Sequence, residues 1–429
     1  MFYKEDKFYY YILINIILIL SLNPFISPIL LKSNDLQLPV FILALSVIIL
    51  DFLRKDLLIH SIHFLILFFS IILLIYLLPD SYLYFVVQKR ITLFLGFLIF
   101  YCFYKYSYLI NVKFFVIGSF INIFGVFAHY FQPDLFIFIA EFFVRTIKIT
   151  EFTGRGASGF TSEPLYAATL LFITCILSKY YLINNKLSTK LYLIIQFFSV
   201  WAIILTQSGT GYIYILFLSL FVYFSFSRFS IILKFIALGI VFLIITSFDQ
   251  YFMVDNRGYY VLRDLFFRAD RFICDQSLLT RIHSILYGLS STLNNPLGMG
   301  SGASYLINNE VVEPNFQYSN NIYFNEINSS LGIVESYLNF CGIYGQNKAT
   351  ELIQSNIFMS NIGMYSFEYG IIFIIFLFLL FTIDLKINYL NIMLLFSCLF
   401  VLQSSVSFAF PLIWFIISLT KKSSGLKYA

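Results

Sequence analysis

Arg281-Ile282-His283 and, twelve residues further on, Asn295-Pro296-Leu297-Gly298-Met299-Gly300-Ser301-Gly302 sit in the one long polar interval of this chain, Asp249 to Asn356. Arg257, Arg263, Arg268 and Arg271 share it. On both sides the sequence turns to runs such as Ile371-Ile372-Phe373-Ile374-Ile375-Phe376, which suit hydrocarbon and little else. That contrast decides the fold class: apolar spans form the scaffold, and the chemistry belongs to what stands between them.

Composition agrees. Of 429 residues, 60% are hydrophobic and 11% charged, with a mean hydropathy of +0.86, whereas soluble domains carry roughly a quarter charged residues. The net charge of +5 is too small on a chain of this length to indicate a nucleic-acid partner. Cys102, Cys175 and Cys398 lie in apolar runs, while Cys274 and Cys341 lie in the polar interval without zinc-ligand spacing. No metal or other cofactor is expected, and Cys274 and Cys341 read equally well as a pair or as two free thiols. The first apolar run, Tyr9–Leu22, lacks a small-residue cleavage site and reads as an uncleaved span.

A spanning helix needs about 20 mostly apolar residues. Applied along the chain, this predicts an all-α integral membrane protein, a polytopic bundle of about twelve spans (10–12) near 9–30, 37–53, 57–78, 91–108, 112–131, 164–183, 190–206, 211–227, 229–248, 357–383, 387–403 and 406–420. The organisation is an N-terminal membrane block over 1–248 with an outer loop near 132–163, a large, partly helical outer loop over 249–356 after the ninth span, and a C-terminal membrane block over 357–429. With both termini cytoplasmic, Lys4, Lys7, Arg54, Lys55, Lys105, Lys386, Lys421 and Lys422 fall inside, while Lys32, Lys89 and Arg90 are left in the short outer loops. A two-half transporter with its main connection in the cytoplasm does not fit this layout.

Three stretches carry candidate chemistry. Gly154-Arg155-Gly156-Ala157-Ser158-Gly159-Phe160-Thr161-Ser162-Glu163-Pro164 leads into a span. Its glycines permit a sharp elbow, Pro164 suits a first helical turn, and Glu163 stands at the helix's positive end. Arg155 offers a guanidinium fork to phosphate oxygens, although a glycine-rich elbow with a solvated arginine has the same composition. Arg281 and the 295–302 run read as an irregular loop over a ligand, with His283 as a base, a donor or a structural imidazole. Glu335, in Gly332-Ile333-Val334-Glu335-Ser336-Tyr337, reads as a proton-accepting carboxylate or as the partner of a loop arginine. Leu135 to Val144 reads as a short amphipathic helix at the interface or as a loop packed on helix ends.

These residues resemble the Wzy-type O-antigen polymerases of the O-antigen ligase/polymerase superfamily. Arg155-Gly156-Ala157-Ser158-Gly159-Phe160 with Glu163-Pro164 and Ala167 is similar to that family's first outer-loop motif. Arg281 with the 295–302 run is similar to the start of its large periplasmic loop; Glu335-Ser336 and Tyr369-Gly370 resemble the end of that loop and the next span. Arg145 and Gly156 match a further Arg-x10-Gly spacing. Gln207-Ser208-Gly209 stands where the superfamily often has Ser-Arg, and no histidine occurs late in the large loop, where ligases carry one.

The resemblance implies a fold like that of GT-C-like glycosyltransferases, in a bacterial inner membrane with a periplasmic active face. It implies a polymerase that moves a growing glycan from undecaprenyl pyrophosphate to the non-reducing end of a new lipid-linked repeat unit. Its partners would be the lipid-linked oligosaccharide, membrane lipid and a chain-length regulator protein. The implied site has Arg155 and Arg281 on the pyrophosphate, Glu335 and then His283 as catalytic base, and Glu163, Gly159, Arg145, Arg268, Arg271, Gly298 and Gly300 around the substrate. Alternatives are an O-antigen ligase acting on lipid A core, or a polysaccharide flippase or transporter.

Overall fold

The computed structural model of the chain describes residues 2–26, 38–75, 83–143, 156–161, 163–215, 218, 276–300, 360–385, 389–403 and 410–422. The described residues form α-helices α1 (Phe2–Leu22), α2 (Leu38–Leu53), α3 (Ser61–Ile75), α4 (Leu83–Tyr106), α5 (Val112–Phe131), α6 (Pro133–Phe143), α7 (Pro164–Ile183), α8 (Thr189–Leu205), α9 (Gln276–Asn294), α10 (Asn361–Thr382), α11 (Tyr389–Gln403) and α12 (Pro411–Lys422). The expected spans at 112–131 and 164–183 coincide with α5 and α7, and α8, α10 and α11 differ from theirs by a few residues. The expected spans 211–227 and 229–248 lie almost wholly outside the described residues.

Three helices, α5, α7 and α10, are long and apolar enough to cross a bilayer, and seven shorter apolar helices accompany them among the described residues. The chain is a helical membrane protein. Local chemistry sets the helix ends. Asn111 caps α5 by accepting the Lys113 amide, Ser188 caps α8 and Ser360 caps α10, and Pro133, Pro164 and Pro411 open α6, α7 and α12. Lys55, Asn185 and Asp384 take positive φ just after α2, α7 and α10 and turn the chain away.

The contacts divide the chain into two units. Unit 1 is Met1–Ser21, Asp35–Ile110 and Ile273–Ala429; unit 2 is Leu22–Asn34 and Asn111–Phe272. In unit 1, α4 packs against α2, α3 and α12. Gly96 clears a slot for Trp414, since a Cβ there would stand 2.1 Å from the indole. Several helix ends meet at one end of this unit. Asp51, fully buried at the end of α2, accepts the hydroxyls of Tyr10 (2.7 Å), Tyr101 (2.6 Å) and Tyr106. Lys105 lies 3.1 Å from Asp51 and 3.0 Å from Asp56. His60, just before α3, meets Asp384 after α10 at 3.0 Å. Buried Lys421, at the end of α12, donates to the carbonyls of Phe381 and Ile383, which neutralises the negative end of α10.

Unit 2 is built around α7, most of whose residues are buried. Gln196 of α8 donates to Cys175 O and Ser178 Oγ of α7, both at 2.8 Å. Asn122 and Gly118 of α5 bond Leu22 O and the Asn23 side chain.

Candidate functional site

The two motif segments with described residues belong to different units, and each is fastened by its own backbone. In unit 2, residues 156–161 form an elbow against α5 and the end of α8. The Ala157 amide donates to Leu205 O at 3.1 Å. A Cβ on Gly156 would meet Thr206 O at 2.4 Å, so only glycine fits there. Gly159 turns at φ 55° against Val126, and the Phe160 ring fills the gap left by Gly125. Thr161 Oγ1 lies 2.7 Å from both Ser158 O and Glu163 O, and its single proton serves one of them. Glu163 precedes α7 without capping it by its side chain; its carbonyl accepts the Tyr166 and Ala167 amides.

His129, near the end of α5, reaches this elbow. Its Nδ1 accepts the Ser158 amide at 3.2 Å with Ser158 Oγ at 3.3 Å, and its ring stacks on Phe136 of α6 at 5.1 Å and 12°. The segment read as either helix or loop is therefore a helix, α6. Its Phe136 and Ala140 pack on Phe25, Ala128 and Phe160, while Leu135, Phe138, Ile139 and Phe142 stay exposed.

In unit 1, α9 runs parallel to α10. Ser284 Oγ accepts the Ser360 amide, Gly288 lies on Gly363, where a Cβ would meet Gly363 O at 2.1 Å, and Thr292 Oγ1 lies 2.8 Å from Gly288 O and 3.0 Å from Ser366 O, its single proton serving one of them. Beyond α9 the run Asn295–Gly300 lies along a break in α10, where Gly370 is non-helical at φ 55°, ψ −135°. Met299 N donates to Phe367 O, Gly300 N to Glu368 O and Ile371 N to Pro296 O, at 2.8 to 3.0 Å. These bonds satisfy backbone groups that the break would otherwise orphan. Gly298, at φ 80°, presses against the Glu368 carbonyl, and no Cβ fits between them. The glycines of this motif thus hold a helix open around Glu368, which is fully buried.

Of the predicted site residues, Gly159, Gly298 and Gly300 have the constrained positions just given, and Glu163 stands exposed at the start of α7. Arg281 and His283 lie in the first half of α9; their side chains are outside the described residues, as are Arg145, Arg155, Arg268, Arg271, Glu335, Cys274 and Cys341. Glu368 lies at the break, eight positions into α10 and in the interior of the span expected over 357–383. Its partner in sequence, Gly370, was the available signal, a glycine inside an apolar span two residues after a carboxylate. No sequence motif singles out His129, because its contact with Ser158 joins positions 29 apart. Among the described residues no cluster of His, Cys, Asp and Glu forms a metal site. Comparison with protein-family models, curated proteins and solved structures returns no match.

Proposed function

We propose that the chain is a membrane glycosyltransferase that polymerises lipid-linked repeat units of a bacterial surface polysaccharide. The observation that carries this reading is that both family-like glycine motifs are fixed parts of the architecture. Gly156, Gly159, Gly298 and Gly370 each occupy a position that a side chain would block. A merely wet linker has no such requirement. In the reaction the acceptor hydroxyl oxygen attacks the anomeric carbon of the donor glycan, whose bond to the pyrophosphate oxygen breaks. Undecaprenyl pyrophosphate leaves with the bonding pair, and the hydroxyl proton passes to a base. Arg155 and Arg281 stabilise the developing pyrophosphate charge, and Glu335 or His283 takes the proton.

The orientation we propose has both termini in the cytoplasm of an inner membrane and the chemistry outside. It is supported by the basic residues Arg54, Lys55, Lys105 and Lys421 near the helix ends gathered at one end of unit 1, since cytoplasmic flanks are enriched in Lys and Arg.

One observation favours a second reading. A buried carboxylate at a broken helix is also how transporters build a coupling site, so Glu368 suits a flippase as well. Complementation of a deletion strain with Arg155→Ala, Arg281→Ala, Glu335→Gln and His283→Ala separates the readings. A polymerase defect leaves single repeat units on lipid A core without a ladder. Lipid-linked chains accumulating outside indicate a ligase, and repeat units trapped on the cytoplasmic side indicate a flippase; either overturns the proposal.

A further inference from the structure

The elbow of unit 2 uses an imidazole that the glycan-transfer reading leaves without a role. His129 is held on two sides. The Ser158 amide donates to Nδ1 at 3.2 Å, and the ring lies nearly parallel to Phe136. An Nδ1 that accepts a backbone N–H carries no proton in the neutral ring, so the proton belongs on Nε2. Nε2 has no hydrogen-bond partner among the described residues, and the residue is partly exposed. The ring therefore presents one N–H donor, in a fixed direction, beside the elbow.

Its depth is fixed as well. α5 has 20 residues, about 30 Å at ~1.5 Å per residue, which matches the hydrocarbon thickness of ~30 Å. His129 lies within its last turn and so at the boundary with the headgroups. There α6 leaves with Leu135, Phe138, Ile139 and Phe142 exposed, as suits a helix resting in the interface. A donor at this level faces the phosphate oxygens of lipids.

We propose that His129 is a binding residue of the lipid-linked donor, giving its Nε2–H to a pyrophosphate oxygen while Ser158 sets the tautomer. The inference rests on the polymerase reading for the identity of that ligand. The sequence around it supplies the setting, since Ser158 belongs to the same elbow as Gly156 and Gly159, whose positions admit no side chain.

The two jobs of the ring can be separated. Asparagine carries Oδ1 where histidine carries Nδ1, so His129→Asn keeps an acceptor for the Ser158 amide and deletes the outer donor. His129→Phe keeps the stacking and loses both. Full-length protein in nanodiscs is titrated with undecaprenyl diphosphate, with phosphatidylglycerol and with inorganic pyrophosphate, and thermal stabilisation is read. Chain extension is measured on the same samples. We expect His129→Asn to melt close to wild type and to bind undecaprenyl diphosphate about 10- to 100-fold more weakly, the loss typical of one hydrogen bond to a charged group. Chain extension should be restored at high donor concentration. If His129→Asn binds and extends like wild type while His129→Phe is merely less stable, the ring is structural and the inference is wrong, with the polymerase reading untouched. If phosphatidylglycerol stabilises wild type as well as undecaprenyl diphosphate does, His129 meets bulk lipid and the inference is also wrong. Wild type that neither binds undecaprenyl diphosphate nor extends chains overturns both this inference and the function on which it rests.

Discussion

Asp51 shows what one buried acidic side chain contributes in an apolar unit. Its carboxylate serves three tyrosine hydroxyls and lies beside Lys105. Removing one partner of such a group strands the others in low dielectric. Asp51→Ala should therefore cost about 3–5 kcal/mol, read as a fall in melting temperature of purified protein in detergent, while Asp51→Asn, which keeps one acceptor oxygen, should cost less. His60 supplies a pH-dependent contribution. Burial lowers its pKa, although Asp384 pulls the other way. The geometry agrees, because Nδ1 accepts the Ile62 amide and Nε2 faces Asp384, an arrangement that suits the neutral ring. A histidine whose folded pKa is depressed adds stability that is fully present above its unfolded value of ~6.5 and is lost as pH falls below it. Wild type should lose stability as pH falls below about 6.5, and His60→Gln, which keeps a donor toward Asp384, should lose less over the same range.

At the scale of elements, α9 and α10 depend on each other. Two half-helices meet at Gly370, and the motif after α9 supplies the missing hydrogen-bond partners. Gly370→Ala would put a Cβ 2.2 Å from Pro296 O at a positive φ. The expected result is detachment of the 296–300 loop at a cost of more than ~1–3 kcal/mol, seen as new proteolytic cleavage near residue 300. Gly288→Ala, which closes the approach to Gly363 O, should give the same cleavage; Leu289→Ala, at an exposed position one residue on, should not. Much of this scale was legible in the sequence. Apolar runs of spanning length gave α5 and α7 to the residue, because their scattered polar residues, such as Asn122 and Thr174, leave the apolar average intact and Asn111 and Pro164 mark their starts. What could not be read was α9. Its small and hydroxylated residues Ser284, Gly288, Ser290, Ser291 and Thr292 turn inward and Leu289 and Leu293 outward, so a hydropathy window sees a polar loop. Likewise the NPLGMG glycines announced an irregular backbone, but the helix they hold open begins more than sixty residues later.

For the whole molecule, this inside-out pattern bears on where the membrane lies. Ile371–Thr382 covers about 18 Å at ~1.5 Å per residue, less than the ~30 Å of hydrocarbon, so the break and the loop paired with it fall within the bilayer if α10 spans it. The outward leucines of α9 then face lipid. Cysteine placed at Leu293 should resist a membrane-impermeant maleimide in intact cells and react after the membrane is dissolved. Reaction in intact cells would move α9 into the aqueous loop. The arginines of the 249–356 interval are legible in composition, but which residues they meet depends on long-range contacts that no spacing encodes.

The division into units has a consequence for biosynthesis. Unit 1 is interrupted between Ile110 and Ile273, so the ribosome must make all of Asn111–Phe272 before α9 to α12 emerge. At ~5–20 residues per second that interval lasts about 8–30 s. Throughout it α4 waits in the membrane with the slot at Gly96 empty, because Trp414 has not been translated. That face of α4 therefore lacks its final partner until the last helix is made, a delay that a bundle whose neighbouring helices are made in succession does not meet.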